Sequence, residues 1–211
     1  MLSRISALLL VFLCLLARNS RCQGTLQITF DGPPVVAPGT GIVITKYSEG
    51  GMVFMPLQGL DSLGRVGPGY PSDPQNGSAF LKAGLGGSLM FSFANNSVFD
   101  LVSVDLAEYS TVLANEPWTV SFIGYYSDGG TVTTSFTTDG IIDGTGPLAD
   151  FQTFNFNSKD WSNLSRVEIP SYGWSLDNLV VTVPEPGVFS LFGLGTFGMI
   201  ARRFYRRNQY R

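Results

Sequence analysis

The chain of 211 residues carries 13 basic and 16 acidic side chains, two cysteines and no histidine. Without histidine, Ser-His-Asp and Cys-His catalysis and His-ligated zinc are excluded. Both cysteines, Cys14 and Cys22, lie close to the N-terminus, so no disulfide framework serves the residues that follow.

Met1 to Cys22 has a basic residue at Arg4 and then an apolar run from Ile5 to Ala17, the anatomy of a secretory signal peptide. Cleavage after Cys22 puts Ser20 and Cys22 at the two small-residue positions that signal peptidase reads. Cleavage after Ala17 leaves Leu15 at one of them. Residues 19–21 and 11–13 do not offer small side chains throughout the approach to either cysteine, which argues against lipidation. Between Gln23 and Val183 five bases, Lys46, Arg65, Lys82, Lys159 and Arg166, stand against fifteen acids, a net charge of −10. Such a surface repels nucleic acid and anionic headgroups. About 160 residues are enough for one domain with its own core.

Through this body the apolar period is that of strands, interrupted by Gly, Pro, Asn and Asp. Strands are expected at 26–30, 42–47 and 52–55, with Ser48-Glu49-Gly50-Gly51 as a turn between the last two. Residues 58–76 hold Gly59, Gly64, Gly67, Pro68, Gly69, Pro71 and Pro74, and read as the longest loop, a place where function often resides. Further strands follow at 79–82, 89–93 and 99–109, where Val102, Val104 and Leu106 share a face. Residues 118–126 and 131–138 form the clearest hairpin, joined through Asp128-Gly129. Its second strand puts Thr131, Thr133, Ser135 and Thr137 on a face turned to solvent or ligand. Strands at 151–156, 164–169 and 174–183 complete about ten, which suits an all-β antiparallel two-sheet β-sandwich of jelly-roll-like form.

Two carboxylate pairs are candidates for glycosidase chemistry, Asp105 with Glu108 and Glu116 with Asp128. Residues three apart on a strand point to opposite faces, so Asp105 and Glu108 read as separate solvated acids, and no catalytic residue is assigned. Sugars stack on exposed aromatic rings, and the candidates are Trp118, Tyr125, Tyr126, Trp161, Tyr172 and Trp174.

The C-terminus is the most specific stretch. Pro184-Glu185-Pro186 precedes an uncharged run from Gly187 to Ala201, then Arg202, Arg203, Arg206, Arg207 and Arg211. The prolines stop any helix entering from upstream. A helix over 187–201 is short for a hydrocarbon core of roughly 30 Å, but its flank of arginines is that of a membrane segment with a cytoplasmic end. This arrangement resembles the PEP-CTERM sorting signal of bacterial envelope proteins. The resemblance implies a signal over 184–211, with Pro184, Glu185, Pro186, Arg202 and Arg203 as its marker residues and a basic tail at 202–211. It also implies an exosortase, a membrane cysteine protease-transpeptidase, as the processing partner beside signal peptidase.

The body itself resembles carbohydrate-binding-module-like sandwiches, through Phe30-Asp31 after the first strand and Trp174-Ser-Leu-Asp-Asn-Leu179 in the last. In sandwiches of that kind the first and last strands pair, which brings Asp31 and Asp177 to one end. Carboxylates there suit a calcium ion, but two fall short of the six or more oxygens the ion wants, and ordinary turn and amide bonding suits Asp31, Asp177 and Asn178 better. No other cofactor is expected. Two functions remain: an exported, non-catalytic envelope or matrix protein that binds exopolysaccharide, or a secreted glycan hydrolase with a carboxylate pair.

Overall fold

The structure is a computed structural model that describes residues 23–58, 63–84, 87–110, 116–142 and 150–184. The expected signal peptide, the membrane helix at 187–201, Glu185, Pro186, Arg202 and Arg203 lie outside the described residues, and Pro184 ends the last strand. No helix is found among the described residues, and so none long enough to cross a membrane.

Among the described residues there are thirteen strands, and Thr25–Val183 forms a compact unit. In chain order they are β1 Gln23–Ile28, β2 Gly41–Ile44, β3 Tyr47–Glu49, β4 Met52–Met55, β5 Leu63–Val66, β6 Phe80–Ala83 and β7 Leu89–Phe93. Then come β8 Asp100–Glu108, β9 Thr119–Tyr126, β10 Thr131–Thr137, β11 Gln152–Asn155, β12 Leu164–Ile169 and β13 Trp174–Pro184. Two antiparallel sheets result. One has the order β11-β8-β13-β6-β5-β2, with β1 also paired to β13; the other runs β10-β9-β12-β7-β4-β3.

The side chains between the sheets explain why the strands stay together. Leu89, Phe91 and Phe93 alternate with half-buried Met90 and Ser92, so β7 offers one face to the core. Phe54, Phe91 and Phe99 pack ring against ring, as do Phe122, Phe136 and Phe156. Within the seven-stranded sheet Leu106 of β8 lies opposite Leu176 of β13 in register, and both are fully buried. The hairpin β9–β10 closes as its Asp-Gly pair demands, with Gly129 at φ 98° and Tyr126 N donating to Gly130 O. Thr131, Thr133, Ser135 and Thr137 are exposed, as their alternation requires.

Four expectations about the strands need correction. Residues 42–47 are two strands in different sheets, because the chain crosses between β2 and β3 at Thr45 and Lys46. Ser48 and Glu49 accordingly belong to β3, and only Gly50 and Gly51, both at positive φ, make the turn. The stretch 58–76 holds β5, whose four residues include Gly64 and Arg65 and so carry little strand signal, although Leu63, Arg65 and Val66 are buried. In β8 the inward face changes parity. Pairing with β13 is irregular between Asp177 and Val181, so Leu106 and Leu176 point inward on one side of the irregularity and Leu101 and Val181 on the other. Val102 is thereby left 38 % exposed.

Candidate functional site

On the outer face of the seven-stranded sheet, β2, β5 and β6 and the loop 67–79 enclose an open pocket of about 390 Å³. That volume falls in the range of small-ligand sites. The register builds it. Lys82 of β6 lies directly opposite Gly64 of β5, and the missing side chain leaves room for the lysine stem: a Cβ on Gly64 would stand 2.9 Å from Lys82 Cγ. The stem is held over the sheet, and its ammonium meets the Asp73 carboxylate at 2.5 Å and lies 3.8 Å from the centre of the Tyr109 ring. Tyr70, 37 % exposed, stands in the same wall.

The loop that supplies Tyr70 and Asp73 is pinned along its length. Gln75 N donates to Asp150, Ala79 N donates to Asp31, and the Ser110 hydroxyl donates to Ser72 O. Beneath it Val66, Phe80, Ala107 and Phe151 form a second small apolar cluster outside the main core. Both ionic groups of the pocket are nearly sealed from water. Burial pushes the Asp73 carboxyl above its usual range and the Lys82 ammonium below its own, and each partner only partly offsets the other's cost. The Tyr109 phenol is raised by burial and by the nearby Asp73 and Tyr70. Desolvation therefore exceeds attraction, as in ion pairs that contribute little stability, and perturbed groups in a cleft make this pocket the candidate site.

Asp31 and Asp177 do come together, with β1 paired to β13. Asp177 is fully buried. Its Oδ1 accepts the Asn178 amide at 2.7 Å, and its Oδ2 accepts the Ser78 hydroxyl at 2.7 Å and the Asn76 side-chain amide. Asn178 in turn donates to Asp105, which also accepts from Thr153. Among the described residues no three His, Cys, Asp or Glu side chains are grouped to hold a metal ion, and the donors on Asp177 are those that satisfy a buried carboxylate without one.

The other expected residues are dispersed. Asp105 and Glu108 do point to opposite faces, since Asp105 sits opposite Asp177 and Glu108 opposite the core residue Trp174. They are not solvated, however: Asp105 is 8 % and Glu108 3 % exposed. Glu108 Oε1 accepts the Gly140 amide, and Oε2 has no partner among the described residues. Strand period alone does not reveal that the ends of β8 are covered. Glu116 precedes β9 and Asp128 follows it, so an eight-residue strand, roughly 26 Å at 3.3 Å per residue, separates them. Trp161 and Trp174 are core residues and offer no face to a sugar. Tyr125 is covered on one face by the Arg166 guanidinium at 3.7 Å, and its hydroxyl donates to Glu168; the Tyr126 hydroxyl donates to Asp160 O. Trp118 and Tyr172 are exposed and adjacent, with ring centres 6.0 Å apart. Tyr70, Asp73, Lys82 and Tyr109 were not among the expected residues. The loop reading of 58–76 pointed at the first two.

Two solved structures show only weak likeness. A family 11 carbohydrate-binding module from Clostridium thermocellum, solved with a beta-1,3-1,4-mixed-linked tetrasaccharide, is 10 % identical over 74 % of this chain and 94 % of its own, with a TM-score of 0.32. The VP2 subviral particle of infectious bursal disease virus is 15 % identical over 80 % of this chain and 35 % of its own, also with a TM-score of 0.32. Neither value bears on function. No curated protein matches the chain. Residues 182–207, by contrast, match the PEP-CTERM protein-sorting motif, so the Pro-Glu-Pro segment, the apolar run and the arginines after it are a sorting signal of that kind.

Proposed function

We propose that the mature chain is an exported, non-catalytic protein of the bacterial envelope or extracellular matrix, sorted by an exosortase, that holds extracellular polysaccharide in the pocket of Tyr70, Asp73, Lys82 and Tyr109. The sorting motif supports the location. The pocket carries the binding role, because it sets the exposed Tyr70 ring beside the Asp73–Lys82 pair, and an exposed ring next to fixed polar groups suits a pyranose. A jelly-roll winding of the body, residues 23–183, is supported by the nested order β6-β13-β8-β11 facing β7-β12-β9-β10. The hydrolase alternative asks for two facing carboxylates, whereas Asp73 is the one acid among the described residues that line the pocket.

The test is retention of the exported protein in gels containing the producing organism's exopolysaccharide. Tyr70→Ala should weaken retention about tenfold, since a stacked ring contributes on the order of 1–1.5 kcal/mol. Trp118→Ala should leave it unchanged. Loss with Trp118→Ala alone moves the site to the Trp118–Tyr172 pair, and absence of any retention leaves a purely structural role. Release of reducing ends would overturn the non-catalytic reading. Intact mass of the native protein tests the sorting arm, which expects residues 1–22 and the tail beyond the Pro-Glu-Pro segment to be gone.

A further inference from the structure

Strand β10 ends the six-stranded sheet and pairs only with β9 among the described residues. Edges of this kind are usually blunted by charge, proline or a bulge. Thr131–Thr137, TVTTSFT, has none of these, and its pairing with β9 is regular over all seven residues. The hydrogen-bond phase tells which backbone groups are open. Tyr126 N donates to Gly130 O and Thr138 N donates to Trp118 O, so along this ladder the even-numbered residues of β10 bond to β9. The N–H and C=O groups of Thr131, Thr133, Ser135 and Thr137 therefore point outward from the edge.

We infer that β10 is a self-pairing edge, whose partner is β10 of a second copy of this chain. An antiparallel pair about a two-fold axis at Thr134 sets Thr131 opposite the other copy's Thr137 and Thr133 opposite its Ser135, so the outward groups of one strand meet those of the other. About eight backbone hydrogen bonds can form in that register. The side chains match as well. On the exposed face hydroxyl meets hydroxyl, extending the ladder already made by Thr119 with Thr137 and Ser121 with Ser135, each pair 2.9 Å apart. On the other face Val132 meets Phe136; both are only partly buried in one copy, although packed on its core. No charge opposes the approach along the strand, whereas the body as a whole carries −10 and would keep other faces apart. The result is a continuous twelve-stranded sheet with closed two-fold symmetry, six strands from each copy. This inference does not depend on the polysaccharide reading.

The experiment is sedimentation of the exported protein, in which wild type is expected at twice the chain mass. Thr133→Lys with Ser135→Lys places like charges in register and should return it to a monomer, as should the corresponding double glutamate variant. Mixing the two should restore a dimer, which guards against simple misfolding as the cause. Thr134→Cys sits at the axis, at the spacing of a non-hydrogen-bonded pair, and should form a disulfide-linked dimer on mild oxidation. A wild-type monomer, or a Thr134→Cys thiol that titrates freely yet never links two chains, overturns the inference.

Discussion

Arg65 and Glu49 hold one residue, Phe30, from opposite ends. The Glu49 carboxylate accepts the amides of Thr29 and Phe30, while the Arg65 guanidinium donates to the carbonyls of Phe30, Gly32 and Pro34. Phe30 is fully buried at φ 57°, a backbone conformation that costs a side-chain-bearing residue on the order of 1–2 kcal/mol. Tyr47 completes the clamp. Its hydroxyl donates to Glu49, and its ring packs against Arg65. Arg65 comes from β5 and Glu49 from β3, so the clamp ties the two sheets together through the segment after β1.

Arg65→Met keeps the apolar stem and removes the donors, leaving three buried or half-buried carbonyls unsatisfied. It should destabilise the protein by at least about 3 kcal/mol, read as a lower urea midpoint with unchanged slope. Glu49→Gln keeps an acceptor for Phe30 and should cost less, roughly 1–2 kcal/mol. Equal effects for the two would show that the carbonyl side is not where the clamp draws its strength.

The Asp73–Lys82 pair separates stability from binding. Removing one partner strands the other in an apolar setting, so Asp73→Leu or Lys82→Met alone should lose roughly 2–4 kcal/mol. Because burial outweighs attraction for both groups, the double variant should return to within about 1 kcal/mol of wild type. It should still fail to retain polysaccharide. A stable double variant with full retention would remove these residues from the binding site.

Gly64 leaves room for the Lys82 stem. Gly64→Ala places a methyl against the Lys82 stem, whose head is fixed by Asp73 and Tyr109 and cannot easily give way. The expected outcome is a several-fold loss of retention with a melting change that reflects no more than about 1 kcal/mol. A large stability loss with intact binding would mean that the strand, and not the lysine, yields.

What the residues reveal in isolation follows from how local each cause is. The β9–β10 hairpin was legible because Asp128-Gly129 fixes the turn and the hydroxyl residues fall on alternate positions. Strand β5 was not, since its burial comes from a phenylalanine carbonyl 35 positions away and from Lys82 lying over Gly64. The pairing of β1 with β13 was anticipated through Asp31, just after β1, and Asp177 in β13, but two of the three donors on Asp177 come from a loop about a hundred residues earlier. Half of the pocket was visible as an irregular loop. Its other half, Lys82 and Tyr109, depends on register between β5, β6 and β13, which no single stretch encodes.

Asp177 should set a pH dependence that its surroundings make measurable. Burial lifts its carboxyl to about 7; hydrogen bonds from Ser78, Asn178 and Asn76 oppose this, and the neighbouring Asp31 adds to it. In the unfolded chain the same group titrates near 3.9. Between those values the folded protein keeps a proton that the unfolded chain has released, so stability falls as pH rises from about 4 to about 7 and levels off above. Asp73, also raised, slopes the same way, so the informative quantity is the difference between wild type and Asp177→Asn. The asparagine cannot titrate, and its stability profile should be flatter across that window by up to a few kcal/mol. Calcium gives a further check, because a cation that displaced the amide and hydroxyl donors would favour the charged carboxylate and abolish the slope. With those donors in place, added calcium is expected to leave both the slope and the melting midpoint unchanged, and parallel profiles for wild type and Asp177→Asn would assign the pH dependence to other groups.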